Sequence, residues 1–397
     1  MGIACIDGLG LQVESDWRAV DYSPVVFPEL AERLLREANL PEQVSPDELT
    51  TWVLESATLS PQADPSARFG QPPVTLFRGA RFYIDALFWV DGTTTVHQHG
   101  FSGAFQVLTG SSIEMLFSFD VDRTFDGHFA LGTLKVSSTG LLRRGDVRPI
   151  WSGKRLIHSV FHLDRPSVSI VVRTTTDPGA GPQFNYARAG VARNPFFADE
   201  ASERKLQIVS MLRSVQHPSF ERQVGDLIAK SDLHTAYRVI RECASHGIVD
   251  RLIDRVPDKV AAEKFRLAVK DHRRELFLVG RRGLVTDYEL RFFLGALLNA
   301  PRRCDVLTLT RQMRPDLEPA LQIAAWLRQL SKITAKLQVE GALWQPNLLG
   351  LPEFDDHLER ACATVLSGGT AANFDTKVVA AMAQLRALPA LACLFND

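Results

Sequence analysis

The sequence predicts an α+β protein: an antiparallel β-sandwich or barrel of short strands, followed by a mostly helical C-terminal domain. Two changes of texture carry that reading. From Val74 to about Thr176 the segments VTLFR, FYIDALFWV, TTVHQHG, AFQVLTG, SIEMLFSFD, TLKVSS, LIHSVFHL and SVSIVVRTT are rich in valine, isoleucine, phenylalanine and threonine. Turn residues separate many of them, as between Val90 and Thr93 or at Gly110. Short strands with a turn roughly every ten residues build sandwiches or barrels. Beyond Ala201 the pattern is helical to the end. DLEPALQIAAWLRQLSKI, for instance, places Ala320, Ile323, Ala324, Leu327 and Leu330 on one helix face. About eight helices are expected between residues 201 and 397, packed as a layer of their own because the apolar positions recur at helical spacing.

Ahead of the strands, residues 1–73 form a lead segment that is partly helical. One helix is expected from Pro28 to Asn39, with Leu30, Leu34 and Leu35 apolar, and a second near Asp47–Ala57. Pro46 before Asp47 and Glu48 starts the second, since proline suits the first turn and acids suit the helix dipole. The Pro/Gly/Ser-rich passage SPQADPSARFGQPP closes the segment, and residues 177–200 read as a linker between the strands of 74–176 and the helical domain 201–397.

Composition narrows the class. The chain has 397 residues, 45% hydrophobic and 23% charged, and 45 basic against 46 acidic side chains leave a formal net charge of −1. That balance gives no electrostatic footprint for nucleic acid, and no basic run forms a membrane-binding patch. The five cysteines, Cys5, Cys243, Cys304, Cys362 and Cys393, form no CxxC pair, so a zinc ribbon or a disulfide framework is not expected and reduced thiols in a cytosol fit best. No run of 18 apolar residues exists and the N-terminus has no secretory pattern, so a cytoplasmic location is expected.

Chemistry concentrates in one stretch, Gly92-Thr-Thr-Thr-Val-His97-Gln-His99-Gly-Phe-Ser-Gly103-Ala-Phe-Gln-Val-Leu-Thr-Gly110. His97 and His99 are two apart on an expected strand, so both imidazoles face one side, roughly 7 Å apart along the backbone. A third donor has to come from another strand, and Gly145-Asp-Val-Arg-Pro149-Ile-Trp-Ser-Gly153-Lys-Arg-Leu-Ile-His158 supplies His158. The two segments resemble the paired motifs of the cupin superfamily, HxH with a later glycine and then G-D…P…G…H. The resemblance implies a double-stranded β-helix, the cupin or jelly-roll barrel, with a metal held by His97, His99 and His158.

Most cupins add a glutamate ligand four residues after the second histidine; here that position is Gly103, and no carboxylate lies between His99 and Gly110. Three neutral donors keep the full charge of a divalent ion and leave open positions, which favours anionic substrates plus a small ligand such as O2. Among cupins, this arrangement resembles the thiol dioxygenases of the cysteine and 3-mercaptopropionate type. HQHGFSGAFQVLTG and FYIDALFWVDG, with Trp89 in the matching place, carry the likeness over about a quarter of the chain. It implies iron(II), with zinc, nickel, manganese or copper as alternatives, and an O2-dependent oxidation of a small anionic thiol or amino-acid derivative. The strand after the third histidine departs from that family: Ser169 is kept, but Val171 and Arg173 stand where histidine and tyrosine are expected.

Around the metal, Tyr83, Asp85 and Trp89 share one face of a strand, and Asp85 or Tyr83 could orient substrate or move protons. His162 is read as a pocket-lining histidine and a candidate for a catalytic part. Arg173, Arg78 and Arg81 are candidates for gripping a substrate carboxylate, because guanidinium offers two parallel donors. With Trp89, Gly103 and Ser169 they make the expected substrate-binding set. The expected function is a mononuclear non-heme iron oxygenase. The alternatives are a Lewis-acid cupin lyase, isomerase or hydrolase, or a non-catalytic ligand-binding protein whose helical domain contacts a partner. Expected partners are the substrate and O2, with a homodimer or a carrier or peptide partner through the helices, and neither nucleic acid nor membrane.

Overall fold

The computed structural model describes residues 3–63, 69–90, 94–197, 199–334, 337–339, 342–344, 347–370 and 372–395. The turn expected between Val90 and Thr93 falls on residues 91–93, outside the described residues. The strand-rich stretch contains β1 (Pro73–Arg78), β2 (Phe82–Trp89), β3 (Val96–His99), β4 (Gly103–Thr109), β5 (Ser112–Asp126), β6 (Phe129–Leu142), β7 (Val147–Ile150), β8 (Gly153–His162) and β9 (Ser167–Thr174). Two more, β10 (Asn185–Ala187) and β11 (Val191–Arg193), lie inside the stretch read as a linker. Strands of three residues are too short to show alternation, which is why the sequence did not mark them.

Two sheets result. One has five strands in the order β1-β2-β9-β4-β7; the other, β10-β11-β6-β5-β8-β3, closes on itself because β10 pairs back to β3. This is the expected double-stranded β-helix of the cupin type, followed by a largely helical region, in an α+β chain. The supposed linker has a structural task here. β10 runs beside β3 with Asn185 opposite His97, so the strand carrying the His-x-His pair is held on both sides, by β10 and by β8.

The N-terminal segment is three helices, α1 (Ala4–Arg18), α2 (Phe27–Ala38) and α3 (Pro46–Glu55). The last begins in a reciprocal cap between Ser45 and Glu48, which satisfies two backbone donors at once. α1 was not expected, since Gly8 and Gly10 weaken its helical pattern. Its Ile6, Leu9, Val13 and Trp17 nevertheless join Phe27, Leu34 and Leu35 of α2 in one buried core with Phe82, Ile84, Ala86 and Phe88 of β2. A Cβ on Gly10 would stand 2.6 Å from the Phe77 ring, so the close approach of α1 to the sheet needs glycine there. β2 therefore buries both faces: the even-numbered residues meet the helices, and Tyr83, Asp85, Leu87 and Trp89 face a cavity.

Eleven helices follow among the described residues, α4–α14, more than expected because α7 (Val249–Ile253) and α14 (Ala392–Phe395) are single turns with almost no periodicity. The chain forms two compact units, one of residues 1–138 and 142–269, the other of 139–141 and 270–397. In the first, α4 (Glu200–Ser214), α5 (Phe220–Lys230), α6 (Leu233–Glu242) and the start of α8 (Lys259–Arg282) share a core with Phe129, Leu131 and Val191 of the barrel. In the second, Phe292 and Phe293 of α9 (Tyr288–Asn299) pack on Trp326 of α11 (Pro319–Lys332). Among the described residues no single helix is long and apolar enough to cross a membrane.

Candidate metal centre

β3 pairs with β8 so that His97 stands directly opposite His158. Directly opposed residues bring their side chains within contact range. A register shift between His97 and His99 then swings His99 toward the same point. The three rings form a nearly equilateral triangle, with centroids 4.6 Å (His97–His99), 4.9 Å (His97–His158) and 5.0 Å (His99–His158) apart. All three are buried, and one nitrogen of each lies within 4.8 Å of the others.

The donor chemistry fits a cation. His97 Nδ1 is 2.7 Å from the Thr95 carbonyl, so that nitrogen carries the proton and Nε2 keeps its lone pair. Nε2 of His97 is buried with no hydrogen-bond partner among the described residues, which is costly unless something electrophilic faces it. The Nε2 atoms of His99 and His158 stand 2.9 Å apart, close enough for both to face one ion when neither carries a proton. Burial, reinforced by the charge His158 would carry, pushes the His97 pKa down to about 3. Burial, with His97, His158 and Arg173 alongside, holds His99 well below its ordinary value. Both rings are neutral at neutral pH, the form a metal requires.

Sequence reading missed Glu114. This carboxylate is buried on β5, with Oε1 3.5 Å from His158 Nδ1, while Arg148 Nε donates to Oε2 at 3.0 Å. Burial opposes its ionisation, but His158 and Arg148 together outweigh that and lower its pKa. A carboxylate on the far nitrogen fixes which imidazole nitrogen points inward and raises its basicity. The only sequence signal was a lone acid in SIEMLFSF on the same side as Ser112, and its relation to His158 comes from strand pairing alone.

The triad opens on a cavity of about 1040 Å³. Of the residues expected around the metal, Tyr83, Asp85, Trp89, His162, Ser169 and Arg173 line it. His162 stacks on Trp89 (4.3 Å, 11°), and its Nδ1 lies 3.0 Å from both the Ser112 and Ser167 hydroxyls. Burial pushes its pKa down to about 3, so it is a neutral ring. Asp85 Oδ1 accepts from Thr75 Oγ1 at 2.8 Å, and burial raises its pKa despite that bond and the nearby Arg173 and Arg78. The Arg173 guanidinium lies 3.4 Å over Phe101 and 5.1 Å from Tyr83. Its Nε is buried without a partner, and it makes no ion pair among the described residues.

Three expected members stand elsewhere. Arg78 and Arg81 are exposed and off the cavity wall, Arg78 near the Tyr83 ring and Arg81 over Tyr22. A bulge between Thr75 and Phe77 re-aims the end of β1, which explains Arg78. Gly103 is not on the wall either: a Cβ there would drive into the Val172 carbonyl oxygen and stand 3.0 Å from Arg173 Cα. It is a glycine because β4 and β9 approach closely, and no side chain at that position can reach the metal in this backbone.

No family model matches this chain, and no curated protein does. Solved structures do. TT1209 from Thermus thermophilus is 16% identical, over 30% of this chain and 97% of that one, with a TM-score of 0.20. Hydroquinone 1,2-dioxygenase from Sphingomonas sp. TTNP3, solved with 4-hydroxybenzoate bound, is 14% identical over 28% of this chain and 69% of that one, TM-score 0.21. A cupin-2 domain containing protein from Shewanella frigidimarina is 14% identical over 26% and 79%, TM-score 0.18.

Proposed function

We propose that this chain is a metal-dependent cupin oxygenase, an O2-dependent mononuclear non-heme iron enzyme acting on a small organic anion. The observation that carries the reading is the buried triangle of His97, His99 and His158 on a cavity that also holds the Arg173 cation. Three neutral donors leave a divalent ion's charge unbalanced by any directly bound carboxylate, and Arg173 adds a second positive centre, so the cavity favours an anion. Iron(II) held by these histidines would supply redox chemistry toward O2. The chain's own groups do the remaining work. Thr95 fixes the His97 tautomer, Glu114 accepts from Nδ1 of His158, the aromatic walls exclude water, and Arg173 orients the substrate.

The test is metal analysis of anaerobically purified protein, followed by an O2-uptake screen against thiols, amino acids and aromatic acids. One divalent ion per chain is expected, lost in each of His97→Ala, His99→Ala and His158→Ala with the circular dichroism unchanged. Full occupancy in those three variants would overturn the site. A zinc-filled chain that consumes no O2 with any substrate would replace the oxygenase reading with the Lewis-acid lyase, isomerase or hydrolase one.

A further inference from the structure

We infer that the anion taken by this site is an ω-arylalkanoate, bound lengthwise in the cavity with its carboxylate on Arg173 and its ring against Trp89 and Phe69. The inference rests on the proposed function for the site and names the substrate class.

Size is the first argument. A cavity of about 1040 Å³ lies at the upper end of what drug-sized ligands occupy, and a three-carbon thiol acid would leave most of it to water. Length is the second. Tyr83, Asp85, Leu87 and Trp89 all line it, and from Tyr83 to Trp89 the wall runs roughly 20 Å at about 3.3 Å per residue. Strand register puts Arg173 opposite Tyr83 at one end, while Trp89 pairs with Ser167 at the other.

Polarity follows that length. On one side of the triad His99 packs on Phe101 (4.7 Å), and the Arg173 guanidinium covers Phe101. On the other side His97 meets Phe69 (6.2 Å), which stands edge-on to Trp89 (5.2 Å, 90°). The metal ligands thus lie between a cation and an aromatic pair. A half-buried guanidinium whose Nε has no hydrogen-bond partner, and which makes no ion pair among the described residues, calls for an anion. Rings in edge and stacked arrangements call for another ring, whose edge and face complement theirs.

Calorimetry on the full-length, EDTA-stripped protein decides the matter, using 6-phenylhexanoate, hexanoate and 6-phenylhexan-1-ol as probes. We expect one 6-phenylhexanoate per chain, held at least tenfold more tightly than hexanoate and at least tenfold more tightly than the alcohol. Arg173→Gln should erase the preference for acid over alcohol, and Trp89→Leu most of the preference for phenyl. If Arg173→Gln fails to fold, Arg173→Lys and the wild-type comparison of acid with alcohol still decide. Equal affinity for the two acids, or no saturable binding of 6-phenylhexanoate, overturns the inference. Anaerobic iron(II) titration of the same samples, followed by O2 uptake, separates the two readings. Aryl binding without metal uptake sinks the oxygenase and leaves the aryl site. Metal uptake with O2 consumption driven only by short anions does the reverse.

Discussion

Glu114 would act on a bound metal only through His158, so its removal should weaken the candidate site without unfolding it. Glu114→Gln keeps the shape and an acceptor for Nδ1 but loses the charge, and Arg148, its other partner, is already partly exposed. Metal affinity, read by competition with a chelator, should fall roughly tenfold or more; unchanged affinity would mean the carboxylate only fills space. Asp85 gives a pH-dependent prediction. Folding raises its pKa, so the native state binds its proton more tightly than the unfolded state, whose value is about 3.9. Stability contributed by this group is therefore lost as pH rises from that value through the raised one, and the full cost is present above both. Asp85→Asn should melt higher than the parent at pH 7, with the gap closing as pH falls toward 4; a lower melting point at pH 7 would contradict the assignment. At this scale much of the site was legible. His97, His99 and His158 follow from motif and order, Tyr83, Asp85 and Trp89 share one face by period-two alternation, and Ser169 and Arg173 came from the family resemblance. Arg78 was not legible because a bulge breaks that alternation, nor was Glu114, whose meaning lies in a partner 44 residues away.

Among the elements, β4 and β9 set a tight constraint on the site. Their pairing brings Gly103 opposite Arg173, and the missing Cβ of Gly103 is what lets the Val172 carbonyl sit there. Gly103→Ala should then destabilise the barrel by about 3 kcal/mol through overpacking against backbone that cannot turn aside. Thermal unfolding checks this, and a variant that melts with the parent would return Gly103 to the role of an empty ligand position. The strands were readable because β2, β4, β8 and β9 are long, β-branched and aromatic. α1 and the pair β10–β11 were not. α1 carries two glycines, one of them required by Phe77, and β10 and β11 gain their stability from pairing with β3 and β6 rather than from their own composition.

For the whole molecule, the question is where the functional unit ends. Texture alone placed the boundary near residue 200, where strands give way to helices. Packing places α4 to α7 and residues 259–269 of α8 with the barrel, because Phe129, Leu131 and Val191 turn outward and are covered by Phe220, Val224, Tyr237 and Phe265. Those three barrel residues are almost fully buried, and uncovering each costs about 2 kcal/mol of burial. Val191 belongs to β11, whose neighbour β10 flanks the strand of His97 and His99, so a loosened β11 reaches the candidate ligands through one intervening strand. A chain ending after Ala201 should therefore aggregate or bind metal weakly. One ending at Arg282, where α8 closes, should remain monodisperse and hold one divalent ion with the affinity of the full chain. Size-exclusion chromatography with metal analysis separates these outcomes. Full metal binding by the shorter chain would mean that the barrel supports its histidines alone and that the helices of residues 200–269 serve something other than the site.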